Sequence, residues 1–244
     1  MQQLQHRRSS HVVPFLFVHV SKTGGETLVT LLRIPKNHET AYNRIASLPS
    51  KRPDCWSFSI VRNPFDRLVS WYFHLRRHLL SAREIEKGTS PLGKRAPCYM
   101  LSERMGVKMN PAEHRFLAER LPFRHWVVAI LNQKELYKYP SWGPCGTQVD
   151  MLCDPRDGRL LVDQVYKYED GYSDNVLPDI FLKLNRPELI PNIQITNNSV
   201  QKKHHYSCYY ENDNSVIEEV SRYFRADLDI FGYQFENKCY ETAL

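Results

Sequence analysis

Short apolar runs alternate with amphipathic segments along most of the chain. Residues 15–20 (FLFVHV), 56–61 (WSFSIV) and 160–166 (LLVDQVY) are mostly apolar and have the length of buried strands. The segments that follow them place apolar residues three or four positions apart, which is typical of helices that bury one face. This alternation predicts an α/β fold, a P-loop-like arrangement of three layers with a central parallel sheet flanked by helices.

Turn-forming residues set the ends of the predicted helices. Pro35 ends the first helix, and Asn63-Pro64 supplies an N-cap followed by proline at the first helical position. The predicted helices cover residues 26–33, 64–80, 122–131, 174–184 and 214–225.

The connecting segments are polar or rich in turn formers. Residues 1–11 are predicted to be disordered. Residues 83–111 and 139–159 are predicted as insertion loops, of a length that often serves function. We predict that the whole chain, residues 1–244, forms one domain.

The strongest local signal lies between the first predicted strand and the first predicted helix, in the loop Ser21-Lys22-Thr23-Gly24-Gly25. Two glycines let the backbone approach an anion, and a helix N-terminus offers main-chain N–H groups beside the charge of Lys22. A nucleotide-hydrolysing P-loop has its lysine after the glycines, so this order disfavours it. The alternative is a tight turn without a ligand.

A second candidate anion site follows the second predicted strand. Arg62 stands directly after that strand, and Ser70 lies on the next helix, away from its apolar stripe. Ligands of doubly wound sheets bind at the carboxyl ends of strands, so we expect Arg62 at the same edge as Lys22. A surface arginine and a solvated serine are the alternative.

Together these two segments resemble the sulfotransferase family that uses PAPS (3′-phosphoadenosine-5′-phosphosulfate), particularly its carbohydrate or Golgi-type branch and small bacterial and algal relatives. Residues 162–170 and the C-terminal stretch from residue 196 resemble later parts of the same family, so the resemblance covers most of residues 15–236. It is weakest over residues 83–159, where acceptor specificity is expected. The activity implied is transfer of a sulfonate group from PAPS to an acceptor hydroxyl, on a carbohydrate.

The resemblance also assigns the donor contacts. The 5′-phosphosulfate is expected at Lys22, Thr23, Gly24, Gly25, Glu26 and Thr27, with Glu26 contributing its main-chain N–H. The 3′-phosphate is expected at Arg62 and Ser70, and a lysine of the C-terminal loop, Lys202 or Lys203, is expected to reach a phosphate. Glu26 departs from the family pattern, because a carboxylate beside the phosphosulfate is repulsive unless it points away.

Two residues after the first helix are candidates for the general base. His38 lies in a segment that resembles the small relatives, and its ordinary pKa near neutrality suits proton abstraction. Glu39 is the second candidate, and a solvated polar turn is the alternative interpretation. Lys22 is expected to balance charge on the leaving phosphate.

Composition and charge limit the ligands that this protein is expected to bind. A formal net charge of +6 suits anionic ligands and glycans without indicating nucleic-acid binding. The cysteines show no metal-ligand spacing, and no metal is expected. Rival hypotheses are a P-loop kinase and a non-catalytic protein that binds nucleotides or glycans on the same scaffold.

Localisation and cysteine state are linked. No apolar stretch approaches the roughly 20 residues of a membrane span, and the first residues do not resemble a signal peptide. These features predict a soluble, cytoplasmic chain, with the Golgi lumen as the alternative if an anchor was removed. The six cysteines are accordingly expected to be thiols, with a Cys145–Cys153 bridge as the alternative in an oxidising compartment.

Overall fold

The computed structural model describes residues 13–47, 55–86, 118, 120–132, 143–194 and 204–239. Two compact units divide the chain: Met1–Val61 with Leu152–Asn197, and Arg62–Met151 with Asn198–Leu244. The main elements of the described residues, in chain order, are β1 (Phe15–Val18), α1 (Gly25–Leu32), α2 (Ala41–Ala46), β2 (Trp56–Val61), α3 (Pro64–Glu86), α4 (Phe123–Asn132), α5 (Gln148–Leu152), β3 (Gln164–Lys167), α6 (Leu177–Lys183), α7 (Asn214–Tyr223) and α8 (Arg225–Phe231). A π turn (Tyr172–Val176) and two 3₁₀ helices (Pro187–Asn192 and Tyr206–Tyr210) complete them.

The first unit contains the sheet. Its strands β1, β2 and β3 are parallel and stand in that order, with Phe17 opposite Phe58 and Ile60 opposite Tyr166. The predicted α/β class with a parallel sheet and helices is confirmed by this arrangement. The predicted bounds of β2 match those observed, because all of its residues after Trp56 are buried.

The third strand begins four residues later than predicted. Leu160 forms an isolated antiparallel bridge with Cys153, so the chain doubles back before it enters the sheet. Asp163 then fixes the point of entry, since its carboxylate accepts hydrogen bonds from the Ser57 N–H (2.7 Å) and hydroxyl (2.6 Å). Hydrophobicity alone could not separate this bridge from the strand.

One apolar core joins the sheet of the first unit to its helices. Phe17, Phe58 and Ile60 of the strands pack with Leu28 of α1 and Ile180 of α6. Each of these side chains is at most 3% exposed. Burial of such side chains contributes about 1.5–3 kcal/mol each, which holds the loop after β1 on a fixed base.

The second unit is helical, and an aromatic core holds it together. Phe65, Tyr72, Phe123, Trp126 and Tyr210 are all nearly inaccessible to solvent, and their rings meet edge to face or tilted. Such ring pairs are favourable by about 0.5–1.5 kcal/mol beyond the area they bury. The core therefore fixes the start of α3 against α4.

Helix α3 begins as predicted and ends later. The Asn63 side-chain oxygen accepts a hydrogen bond from the Phe65 N–H (3.1 Å), which is the predicted N-cap, and Pro64 is the first helical residue. The helix continues to Glu86, so the insertion loop predicted from residue 83 starts later, and its residues 87–111 lie outside the described part. The other predicted loop, residues 139–159, contains α5, which was not predicted.

The C-terminal helix is also two helices rather than one. Helices α7 and α8 meet at Phe224, whose backbone angles (φ −96°, ψ 25°) leave the helical range while its side chain is fully buried. Phe224 therefore ends α7 and precedes α8 with its side chain buried. The spacing of apolar residues over 214–225 does not reveal this break between the helices.

The expectation that all six cysteines are thiols is wrong for two of them. Cys208 and Cys239 form a disulfide, with their Cα atoms 4.8 Å apart, that ties the 3₁₀ helix Tyr206–Tyr210 to the C-terminal end of the second unit. Cys145 and Cys153 remain thiols, so the predicted alternative bridge between them is absent. Within the described ranges, no helix combines the length and apolarity needed to cross a bilayer.

Candidate active site

The loop after β1 contains two left-handed residues directly before the first turn of α1. Lys22 (φ 66°) and Gly24 (φ 92°) are both left-handed, and α1 begins at Gly25. A lysine in this conformation costs about 1–2 kcal/mol relative to the right-handed form. Such strain persists mainly where a loop has a function.

Both glycines of the loop are also required by packing. A Cβ atom at Gly24 would lie 2.7 Å from Cζ of Tyr172, and one at Gly25 would overlap the His19 ring. The Tyr172 hydroxyl donates a 2.5 Å hydrogen bond to the Gly24 carbonyl oxygen. The loop is therefore held from two sides, by the end of β1 and by the π turn after β3.

The threonines of the loop are buried. The Thr23 hydroxyl donates to the Val20 carbonyl oxygen (2.8 Å), and Thr27 is 1% exposed with its N–H bonded to the Gly24 carbonyl oxygen (3.1 Å). The Thr23 hydroxyl thus closes the turn on itself, while Lys22 is half-buried beside it.

Glu26, the departure from the family pattern, lies in the first turn of α1 and forms an ion pair with Lys36. The two side chains are half exposed. A carboxylate in this turn interacts favourably with the helix dipole, and its pairing with a lysine neutralises the charge next to the loop. Because its carboxylate is paired with Lys36, Glu26 need not repel an anion at the loop.

His38 is held next to the loop by a main-chain contact. Its Nδ1 lies 3.1 Å from the carbonyl oxygen of His19. A carbonyl oxygen only accepts hydrogen bonds, so Nδ1 carries the proton in the neutral ring and Nε2 carries the lone pair. Burial lowers the pKa of His38 from 6.5; the hydrogen bond to His19 acts in the opposite direction.

Glu39, the second candidate base, is exposed and engaged locally. Its carboxylate accepts a hydrogen bond from the Asn37 side-chain amide (3.0 Å), and its N–H donates to the Asn37 side-chain oxygen (2.7 Å). Thr40 next caps α2 by accepting from the Asn43 N–H. Glu39 thus belongs to a polar turn, whereas His38 faces the end of β1.

His19 was not predicted as a site residue. His19 is 3% exposed, and its ring contacts those of Phe17 and His38 at centroid distances of 5.5 and 4.4 Å. Burial and the neighbouring His38 lower the pKa of His19 to about 2, so the ring is neutral throughout the physiological range. The sequence signal was a histidine at the end of an otherwise apolar strand.

Arg62 and Ser70, in the second unit, are both buried. The Arg62 guanidinium donates to the Asp66 carboxylate from Nε (2.8 Å), and its main chain forms two hydrogen bonds with the Gln148 amide (2.9 and 2.8 Å). The alternatives of a surface arginine and a solvated serine are therefore wrong. Asp66 was missed, although it stands only four residues after Arg62 and forms an ion pair with it (2.7 Å).

A further network holds Gln148 in place. The buried Asp227 carboxylate accepts hydrogen bonds from the Gln148 N–H (3.0 Å) and the Val149 N–H (2.9 Å) at the start of α5. Burial raises the pKa of Asp227, while these hydrogen bonds act against that rise. Asp227 thereby fixes the main chain of Arg62 indirectly.

The remaining predicted contacts, Lys202 and Lys203, lie outside the described residues. Over the described part of the chain, no group of three or more histidine, cysteine or acidic side chains could hold a metal ion. The structure thus brings Lys22, Thr23, Gly24, Gly25, Glu26, Thr27 and His38 together in the first unit, with His19 added.

One protein-family model matches most of the chain. The model described as the sulfotransferase family matches residues 8–234, from before β1 to beyond α8. Neither curated proteins nor solved structures gave a match. Since the family model covers well over half of the chain, the resemblance inferred from the loop, Arg62 and Ser70 is confirmed at the level of the family, and the chain belongs to the sulfotransferase family.

Proposed function

We propose that this member of the sulfotransferase family transfers a sulfonate group from PAPS to a carbohydrate hydroxyl. The observation that carries the proposal is the placement of a neutral, oriented histidine, His38, beside a left-handed lysine–glycine loop at the start of α1. A charge-balancing loop and a base are the two parts that sulfonate transfer requires.

The loop suits the 5′ end of the donor. Gly24 and Gly25 carry no Cβ, α1 begins there with main-chain N–H groups of the first turn, and Lys22 adds a positive charge. In our proposal, Lys22, Gly24, Gly25 and the main chain of Glu26 hold the phosphosulfate, and Thr23 and Thr27 shape the loop. When bound, PAPS supplies the sulfonate group, whose bond to the 5′-phosphate breaks as the acceptor oxygen bonds to sulfur.

Arg62 and Ser70 are proposed to hold the 3′-phosphate. Asp66 binds the guanidinium through both Nε (2.8 Å) and Nη2 (2.7 Å), which holds the planar group of Arg62 in a fixed orientation. The burial of Arg62 strengthens its interaction with an anion. Lys202 and Lys203 are proposed to add positive charge at a phosphate.

His38 is proposed as the general base. Its Nδ1–H is bonded to the His19 carbonyl, so the acceptor proton would go to Nε2. The lowered pKa keeps the ring unprotonated at neutral pH, which a base requires. Glu39 is the alternative base, and its exposure and local hydrogen bonds support it less well.

We propose a glycan as acceptor because of the resemblance to the carbohydrate branch, and because the net charge of +6 suits acidic sugars. For the compartment, the Cys208–Cys239 disulfide favours the Golgi lumen or another oxidising compartment over the cytoplasm, since cytosolic thiols are kept reduced.

Labelled PAPS and a panel of glycans and small alcohols test the proposal. We expect wild-type protein to label at least one glycan, His38→Ala to lower kcat about 10²–10⁴-fold, and Lys22→Ala to lower it about 10²–10³-fold. His125→Ala, at an exposed histidine of α4, and Lys238→Ala serve as matched controls.

Two outcomes would change the account. PAPS binding without transfer to any acceptor indicates a non-catalytic nucleotide-binding protein on this scaffold. Full activity of His38→Ala, with loss of activity in Glu39→Gln, moves the base to Glu39.

A further inference from the structure

His19 makes contacts to both parts of the proposed site. Its carbonyl oxygen accepts from Nδ1 of His38, its ring lies 4.4 Å from the His38 ring at 37°, and the same ring fills the space that a Cβ at Gly25 would occupy. One residue at the end of β1 thus contacts both the anion loop and the candidate base.

The environment of the ring is unusual for a histidine. It is almost fully buried, and its Nδ1 has no hydrogen-bond partner within the part of the chain that the structure describes. A buried polar atom without a partner costs free energy that a phenylalanine or leucine at this position would avoid. The His19 ring also stacks on Phe17, at a centroid distance of 5.5 Å.

Charges approach the histidine pair from several elements. Lys22 approaches from the loop, Glu26 from α1, and Lys36 from the segment after α1. Since burial keeps the pKa of His19 low, the ring adds no charge next to His38. A positive charge at position 19 would oppose protonation of His38 during turnover, and an open position would hydrate it.

We propose that His19 is a positioning residue for the base: its carbonyl fixes the tautomer of His38 and its ring shields one face of His38 from water. This inference rests on the proposed role of His38. It adds a residue that is not part of the donor contacts or of the proton transfer itself.

The test is a side-chain NMR titration of the histidines in the full chain without donor or acceptor, with His38 assigned from His38→Gln. In His19→Ala, we expect the titration midpoint of His38 to rise toward 6.5, its ordinary value, because water reaches the ring. In His19→Phe, which keeps an aromatic face, the midpoint should stay lowered. The ¹⁵N shifts should report a proton on Nδ1 in the wild-type protein.

A second variant guards against misfolding of His19→Ala. Gly25→Ala leaves His19 present but pushes its ring aside, so His38 should titrate higher there as well. If the midpoint of His38 is unchanged in both His19→Ala and Gly25→Ala while each remains folded, the proposal is wrong.

Kinetics separate positioning from simple stabilisation. The acidic limb of the pH–kcat profile should move to higher pH in His19→Ala, because a base must be unprotonated to act. With a midpoint of at most 6.5, kcat at pH 6 should fall by up to about fourfold and recover at higher pH. A role in stability alone would lower the melting temperature and leave the profile in place. If the wild-type protein shows no transfer but His38 responds as expected, the proposed function fails and the positioning role stands.

Discussion

The Tyr172 hydroxyl donates a 2.5 Å hydrogen bond to the carbonyl oxygen of Gly24, while its ring stacks on Tyr168 at a centroid distance of 4.8 Å. This contact joins the turn after β3 to the loop after β1. Contacts within the protein therefore constrain the loop, which reduces the ordering that binding an anion requires.

Gly24→Ala should be strongly destabilising, because the new Cβ meets both a left-handed backbone and the Tyr172 ring. We expect a loss of about 2–5 kcal/mol in the free energy of unfolding, from backbone strain and overpacking together. Gly158→Ala is the matched control, since Gly158 is also left-handed (φ 73°) but has open space around it. It should lose only about 1–2 kcal/mol. Equal losses in the two variants, measured by denaturant unfolding, would show that Tyr172 packing does not constrain the loop.

His19 should lower the free energy of unfolding at acidic pH. Its pKa falls from 6.5 to about 2 on folding, so between these values the unfolded chain binds a proton that the folded chain does not. The free energy of unfolding therefore decreases as pH falls below 6.5, by up to about 1.4 kcal/mol per pH unit for this one group. His19→Phe should flatten the decrease, as measured by urea unfolding between pH 7 and pH 5. An unchanged slope in His19→Phe would mean that His19 is protonated in the folded protein.

Recognition of the 3′-phosphate should depend on Arg62 and not on Asp66, its partner in the buried ion pair. Arg62→Ala should raise the Kd for PAPS by about 10–100-fold, the effect of losing one charge-assisted contact. It should leave binding of adenosine 5′-phosphosulfate, which lacks the 3′-phosphate, nearly unchanged.

The double variant Arg62→Ala/Asp66→Ala controls for the buried Asp66 carboxylate, which loses its ion pair with Arg62 in the single variant. It should recover stability relative to Arg62→Ala without recovering affinity for PAPS. If both nucleotides weaken equally in calorimetry, Arg62 does not read the 3′-phosphate.

The disulfide should contribute substantially to stability. Cys208 and Cys239 are 31 positions apart, and closing a loop of this size stabilises a fold by about 2–4 kcal/mol. Cys208→Ser should lose this amount in guanidinium unfolding, and the wild-type protein should lose the same amount in a reducing agent. Cys55→Ser, which removes a cysteine outside the bridge, is the control. No effect of a reducing agent on wild-type stability would argue against a native bridge.

The parts predicted well from sequence were those that local pattern determines. β2 was predicted with its observed bounds because it is a mostly apolar run of strand length, and the start of α3 because Asn63 and Pro64 are strong local signals. The place of the loop Ser21–Gly25 between β1 and α1 was predicted from its glycines, which favour a turn. Its role in binding an anion stays a prediction.

The parts predicted poorly depend on partners distant in sequence. The start of β3 is set by Asp163 bonding to Ser57, 106 positions away, and the break at Phe224 by burial of a single ring. The disulfide joins residues whose proximity no spacing rule reveals. His19 was overlooked because its importance lies in contacts with Gly25 and His38, and a histidine within a strand is usually a packing residue.

Calorimetric titration of PAPS into wild-type protein and Lys22→Ala tests whether the loop Ser21–Gly25 is the donor site. We expect the wild-type protein to bind PAPS specifically, without a requirement for Mg²⁺. In Lys22→Ala, binding should weaken by about tenfold or more, because a charge-assisted contact of about 1.5–3 kcal/mol is lost. Absence of PAPS binding by the wild-type protein, or equal binding by Lys22→Ala, would contradict the assignment of this loop as the donor site.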